Sequence, residues 1–397
     1  MKQRLSKLQC IKRLWHFPIW LSFAAVTLPA YGFQILPKVG DLDRKLASLG
    51  ANRIIDPLGQ FAISEFVSKV KNPVHEAITL GALGCSPVPG QEKNCIVEEA
   101  IKANRYILYG VRWPDDPPFR LDNRKPPPFT SCDPYVVVHS TSQPECWLSM
   151  FNDAGAKSKI LLITKPAVPA FGSGNHLLYR SHYGDLQFFH AMAANNRVPA
   201  AQTQAKMKMW AQFLWGVALK QVPVDKPIRN LEFDALRAYF PSGLTATNLF
   251  TTGIVSARAR LDRVALGVLL HMVQDSFSRS HAERAVETGG QCEQMPRFAK
   301  PGKIIQYYSY ANQAGHLHDH EDTFDALGLQ TLQSSPNVVD VSRDFVTLWN
   351  EKAPWEQVSK YFDCVFDLQD PAAEADPGRF VPPPTPHIDQ NEIDKGY

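Results

Sequence analysis

Apolar residues recur at three- and four-residue intervals over most of the chain, the spacing of helices that bury one face. The pattern predicts helices over 42–70, 75–83, 98–109, 184–194, 201–221, 261–277, 304–326 and 341–362. Asn72-Pro73 offers a cap and an N1 proline ahead of the second. The 261–277 run is the most apolar and predicts the central helix. Between Trp113 and Pro166 prolines are dense and the period is lost; 135–139 and 160–164 read as short strands of a surface insertion. Six prolines follow Asp370 in the last 27 residues, which predicts an extended strap or a disordered tail over 371–397. The expected fold is all-α: a multi-helix domain over 33–370 with a proline-rich, partly β insertion.

The leader changes how composition is read. Residues 1–32 carry Lys2, Arg4, Lys7, Lys12 and Arg13, no acidic residue, and an apolar run from Phe17 to Ala30. This is the layout of a secretory signal. Ala30 and Gly32 place cleavage before Phe33, with cleavage after Ala30 as the rival. The apolar run falls short of the ~20 residues that an uncleaved spanning anchor needs. No second run approaches that length, so the expectation is an exported protein, periplasmic or secreted, with no stable transmembrane segment. Without the leader, 37 basic side chains face 39 acidic ones. That balance lacks the positive excess that draws proteins to nucleic acid, and none is expected as a partner. Removing Cys10 leaves six cysteines, an even count that predicts disulfides in an exported chain. Pairing by proximity in sequence gives Cys85–Cys95, Cys132–Cys146 and Cys292–Cys364. No CxxC spacing is present, which argues against thiolate zinc and thioredoxin chemistry.

Histidines carry the candidate chemistry. His271 and Asp275 stand four apart in the apolar 264–273 run, so they share one helical face. A buried His–Asp pair needs partners, and a metal ion satisfies both. His281 lies ten residues beyond His271 and joins them only if the helix ends within 276–280. His318 and Asp322 repeat the four-residue spacing, with His316 and His320 as a rival pair. His75 falls in a first helical turn, Asp115 and Asp116 in a rigid loop, and His182 before an apolar segment. Each fragment alone reads as readily as a core histidine, a cap or a turn. Together they offer imidazoles and carboxylates without thiolates, a set that suits zinc; manganese or iron uses the same ligand types.

This order and spacing resembles the zinc-dependent phospholipase C and S1/P1 nuclease superfamily, and most closely the bacterial zinc phospholipases C. The family pattern reads here as His75, Asp115, His182, His271-x3-Asp275-x5-His281 and His318-x3-Asp322, over about residues 70–325. Ser181-His182-Tyr183 is similar to the Ser-His-Phe/Tyr of those phospholipases. The resemblance implies a helical, exported hydrolase with two or three zinc ions. One would be held by Asp115, His182, His271 and Asp275, with Asp116 the alternative to Asp115. A second would take His281, His318 and Asp322, and a third would share Asp275 with His75. In the family a mature N-terminal tryptophan also binds the third zinc. Here Phe33 or Tyr31 would lead, more than 40 residues before His75.

Clustered zinc ions acidify water and neutralise a phosphate in its transition state. Asp115 and Asp275 are the expected catalytic carboxylates, Asp115 positioning or deprotonating the water. The chain has no GxSxG motif. The expected activity is that of a phospholipase C acting on phospholipid such as phosphatidylcholine at a membrane or micelle surface, where Trp210 and Trp215 would meet lipid or else belong to the core. Two alternatives stand beside it: an S1/P1-like nuclease or nucleotidase, favoured by Asp322 where the phospholipases usually carry Glu, and a non-catalytic metal-binding exported protein.

Overall fold

The computed structural model describes residues 74–86, 95–140, 142–164, 168–286, 290–310, 313–314, 317–318, 321 and 336–381. The leader, the helix expected over 42–70, Asp322 and the tail beyond 381 lie outside the described residues.

Helices dominate what is described. In chain order they are α1 (Val74–Ala82), α2 (Val97–Arg112), α3 (Pro144–Thr164), α4 (Leu177–Tyr183), α5 (Ala200–Ala218), α6 (Asp234–Arg237), α7 (Ala246–Thr251), α8 (Leu261–Asp275), α9 (Val338–Asn350) and α10 (Trp355–Val365). Two small antiparallel sheets accompany them: β1 (Ala282–Arg284) with β4 (Ile304–Tyr307), and β2 (Gln291–Cys292) with β3 (Met295–Ala299).

The apolar run at 261–277 does form the central helix. Every residue of α8 from Val264 to Asp275 is buried, so the surrounding helices enclose it. It packs along α2, α5 and α9. The α2–α8 crossing is backbone against backbone: a Cβ on Gly110 would stand 2.1 Å from Val264 O, and one on Gly267 2.1 Å from Ile107 O. Elsewhere local chemistry sets the ends. Asn337 caps α9, accepting from Val339 N and Asp340 N, and Asp340 returns the bond to Asn337 N.

Several elements differ from the sequence pattern. The helix expected over 184–194 does not form: α4 ends at Tyr183, just before that range, and only a 3-10 turn, Gln187–His190, lies within it. Gly184 is extended, and a Cβ there would meet Phe171 O at 2.6 Å, so this crowded turn ends α4. The segment beginning at Ile304 is strand β4 rather than helix; Ile304 and Tyr307 are buried and pairing to β1 overrides the apparent period. The 341–362 run splits into α9 and α10, because Lys352 turns left-handed (φ 54°) and Pro354 opens the next helix. Residues 160–164 end α3 instead of forming a strand. Of the 135–139 strand, a single bridge between Val138 and Phe119 is formed. Trp210 and Trp215 are completely buried in the core and do not face lipid.

The three cysteine pairs expected from proximity are disulfides. They suit an oxidising, extracellular environment. Among the described residues no helix is long and apolar enough to cross a membrane. Residues 371–381 run as a strap over the domain: Glu374 bridges to Pro199, Asp376 to Tyr308, and Phe380 is buried.

Candidate metal centre

Helix α8 delivers His271 and Asp275 one turn apart, and neither is exposed. The helix stops at Asp275, and Ser278 N donates to Asp275 O in the turn that follows. His281 N then donates to Ser278 O, which folds His281 back beside the helix end. His75 lies in the first turn of α1, and Asp115 in the turn that follows α2. His182 closes α4, and His190 ends the 3-10 turn.

These side chains converge. His271 Nε2 lies 2.9 Å from Asp275 Oδ2, 3.0 Å from His190 Nδ1 and 3.6 Å from Asp115 Oδ1. His190 Nδ1 lies 2.9 Å from Asp275 Oδ2 and 3.4 Å from Asp115 Oδ1. Four donors around one tetrahedral zinc, each about 2.0–2.1 Å from the ion, stand about 3.3 Å apart. The five observed separations, between 2.9 and 3.6 Å, fall near that edge length, so this group could hold a cation. The other oxygen of Asp275 lies 3.2 Å from His75 Nε2, and the His75 and His271 rings stack at 4.1 Å. Asp275 thus stands between two donor groups. Two buried groups could hold metal ions: His75, His271 and Asp275, and Asp115, His182 and His190.

His281 and His318 adjoin these groups. His281 Nδ1 lies 3.7 Å from Asp275 Oδ2, and the His281 and His318 rings are 4.8 Å apart. With His182 and His190 they line a space of about 10 Å³. That is the size of one water molecule or ion.

The hydrogen bonds behind the imidazoles fix how they face this space. His271 Nδ1 is 2.7 Å from Val111 O, His182 Nδ1 is 3.1 Å from Leu178 O, and His281 Nδ1 is 2.8 Å from His190 O. His75 Nδ1 is 2.6 Å from Gln274 Oε1, and His318 Nδ1 is 2.6 Å from Gln313 Oε1. The amide of Gln313 donates to Ser280 O and that of Gln274 to Thr79 Oγ1, so each presents its oxygen to the imidazole. A carbonyl oxygen only accepts, so each Nδ1 carries the proton and each Nε2 keeps its lone pair. Such backing is the usual second layer around metal-bound histidine.

Burial pushes His271 down to about 3, against the opposing charge of Asp275, and pushes His182 and His190 below their ordinary range. These three rings are neutral and ready to ligate at physiological pH. Burial alone would raise Asp275, but the charge that His271, His281 and His75 carry when protonated holds its carboxyl well below the usual range. Nε2 of His182 and of His190 meets no hydrogen-bond partner among the described residues.

Of the sequence-predicted residues, His75, Asp115, His182, His271, Asp275, His281 and His318 meet in one place, with a changed grouping; Asp322 lies outside the described residues. His190, which no spacing motif marked, sits closest to His271 and Asp275; His182 groups with His190 and Asp115. Asp115, not Asp116, faces the centre: Asp116 accepts from Ser140 N at 3.0 Å and approaches His139 Nε2 at 3.0 Å. The signal for His190 was tertiary, since it lies behind the aromatic pair Phe188-Phe189 within an apolar stretch that reads as core. No protein-family model matches this chain, and no curated protein or solved structure matches it.

Proposed function

We propose that the chain is an exported zinc-dependent phospholipase C that hydrolyses the glycerol-side phosphodiester of phospholipids such as phosphatidylcholine. The observation that carries the reading is the set of five imidazoles whose Nδ1 atoms all lie within 3.1 Å of an amide or peptide carbonyl oxygen, clustered with the carboxylates of Asp115 and Asp275. The spacing shared with the zinc phospholipases C supports the same conclusion.

Asp115, His190, His271 and Asp275 would hold one cation, with His182 beside Asp115 and His190; His75 would share Asp275 with another, and His281, His318 and Asp322 would serve a third. Zinc in such a cluster lowers the pKa of water and neutralises phosphate charge. Asp275, ionised amid imidazoles, supplies negative charge between the donor groups. Asp115 turns one carboxylate oxygen toward His190 and the other toward His75. From there it would orient the attacking water and accept its proton.

Phospholipid is preferred over nucleic acid because the chain without its leader has no basic excess and because of the Ser181-His182-Tyr183 match. Asp322 favours the nuclease reading. The test is metal content of the mature protein with and without His271→Ala, together with diacylglycerol release from phosphatidylcholine and cleavage of single-stranded DNA. Two or three zinc equivalents, lost on substitution, with diacylglycerol release support the proposal. DNA cleavage moves the chain to the nucleases, metal without turnover leaves a binding protein, and a metal-free wild type overturns the reading.

A further inference from the structure

Asp116 is buried beside a metal-facing residue yet spends its carboxylate on another part of the chain. Ser140 N donates to Asp116 Oδ1 at 3.0 Å, the Ser140 hydroxyl donates to Oδ2, and His139 Nε2 lies 3.0 Å from Oδ2. These partners lie within the proline-dense insertion between Trp113 and Pro166, at the end of its 118–140 stretch. That insertion is a cross-linked body: Phe119 and Val138 exchange backbone hydrogen bonds, Gln143 Nε2 donates to Asp133 O and Val136 O, and Cys132 is joined to Cys146. The adjacent residue, Asp115, aims at His271 and His190. Neighbouring carboxylates thus face opposite ways, one into the centre and one into the insertion.

We propose that Asp116 is a positioning residue that couples the insertion to the metal centre, so that metal binding and the order of the insertion support each other. Asp115 sits on the turn after α2, where Asp116 N donates to Arg112 O at 3.3 Å, so the Asp116 side chain adds a second anchor to a peptide that the backbone already holds. Fixing the next side chain fixes the direction of the peptide between them, and so the approach of Asp115. The coupling is reciprocal: whatever Asp116 contributes to metal affinity, bound metal returns as protection of the Ser140 and Val138 amides. The inference rests on the metal-binding part of the proposed function and not on its substrate.

Hydrogen exchange over residues 118–147, with and without zinc, and zinc affinity by chelator competition test it on the mature protein. In the wild type, zinc should slow exchange of these peptides, and His271→Ala should abolish that slowing. Asp116→Asn should weaken zinc binding about 10–100-fold, as loss of a supporting layer does, and remove the zinc-dependent protection. Ser140→Ala, a smaller change less able to unfold the domain, should weaken binding about tenfold. An insertion whose exchange is the same with and without zinc overturns the coupling, as do both variants binding like the wild type. A wild type that takes up no zinc overturns the coupling and the proposed function together. Zinc uptake without phospholipid hydrolysis overturns the substrate assignment alone.

Discussion

His190 Nδ1 lies 2.9 Å from Asp275 Oδ2 although 85 residues separate them in sequence. The same nitrogen is 3.0 Å from His271 Nε2. A third donor so close to an i,i+4 His–Asp pair makes His190 a candidate ligand under the proposed function. His190→Ala should therefore remove about one metal equivalent and lower hydrolytic activity at least about 100-fold, matching His271→Ala. Elemental analysis of the purified variant checks this; full metal content would take His190 out of the centre.

Gln274 orients His75 without joining the donor groups. Its Oε1 accepts from His75 Nδ1 and its Nε2 donates to Thr79 Oγ1 at 2.9 Å. Gln274→Met keeps the volume but leaves the His75 proton without that acceptor, so the imidazole is free to turn or change tautomer. Metal affinity at the His75 position should fall about 10–100-fold while the other sites keep theirs. Titration calorimetry with zinc would resolve the weakened step.

Sequence reasoning reached as far as local spacing allowed. The His271–Asp275 pair was legible because both lie on one helical face, and the need for α8 to end before His281 followed from ten residues of helical rotation. The proximity pairing of the cysteines also agreed with the fold. What failed depended on distant partners. Ile304 and Tyr307 look helical until β1 is present to pair with them, and the 184–194 helix cannot be rejected without Phe171 O against Gly184. His190 stands at no metal-ligand spacing from its sequence neighbours; its companions come from α8, from the turn after α2 and from His182 on α4.

The disulfides should differ in worth. Cys292 and Cys364 are separated by 72 residues, Cys85 and Cys95 by 10. Closing a loop removes unfolded-state entropy that grows with the logarithm of its length, about 4.4 against about 2.7 kcal/mol for these two. Replacing Cys292 and Cys364 by Ser should lower the urea midpoint more than replacing Cys85 and Cys95. Equal losses would show that strain or residual structure outweighs loop length.

Burial raises the Asp344 carboxyl to about 6 even though Tyr361 donates to it at 2.7 Å. The folded chain then holds this proton at pH values where the unfolded chain has released it. Stability contributed here is full below about pH 4 and is lost as pH rises through about 6. Asp344→Asn keeps an acceptor for the tyrosine and removes the buried charge. It should stabilise the protein by about 1 kcal/mol at pH 7.5, a value discounted for partial exposure, and by almost nothing at pH 4. Urea unfolding at the two pH values measures the difference.

Where α2 and α8 touch through Gly110 and Gly267, no side chain separates the two backbones. The residue after Gly110, Val111, lends its carbonyl to His271, four positions beyond Gly267. The clearance between two helices and the aim of a ligating nitrogen are consequently one mechanical quantity. A single methyl group wedged into that seam would act as a shim, tipping an imidazole several residues away without altering any group that ligates.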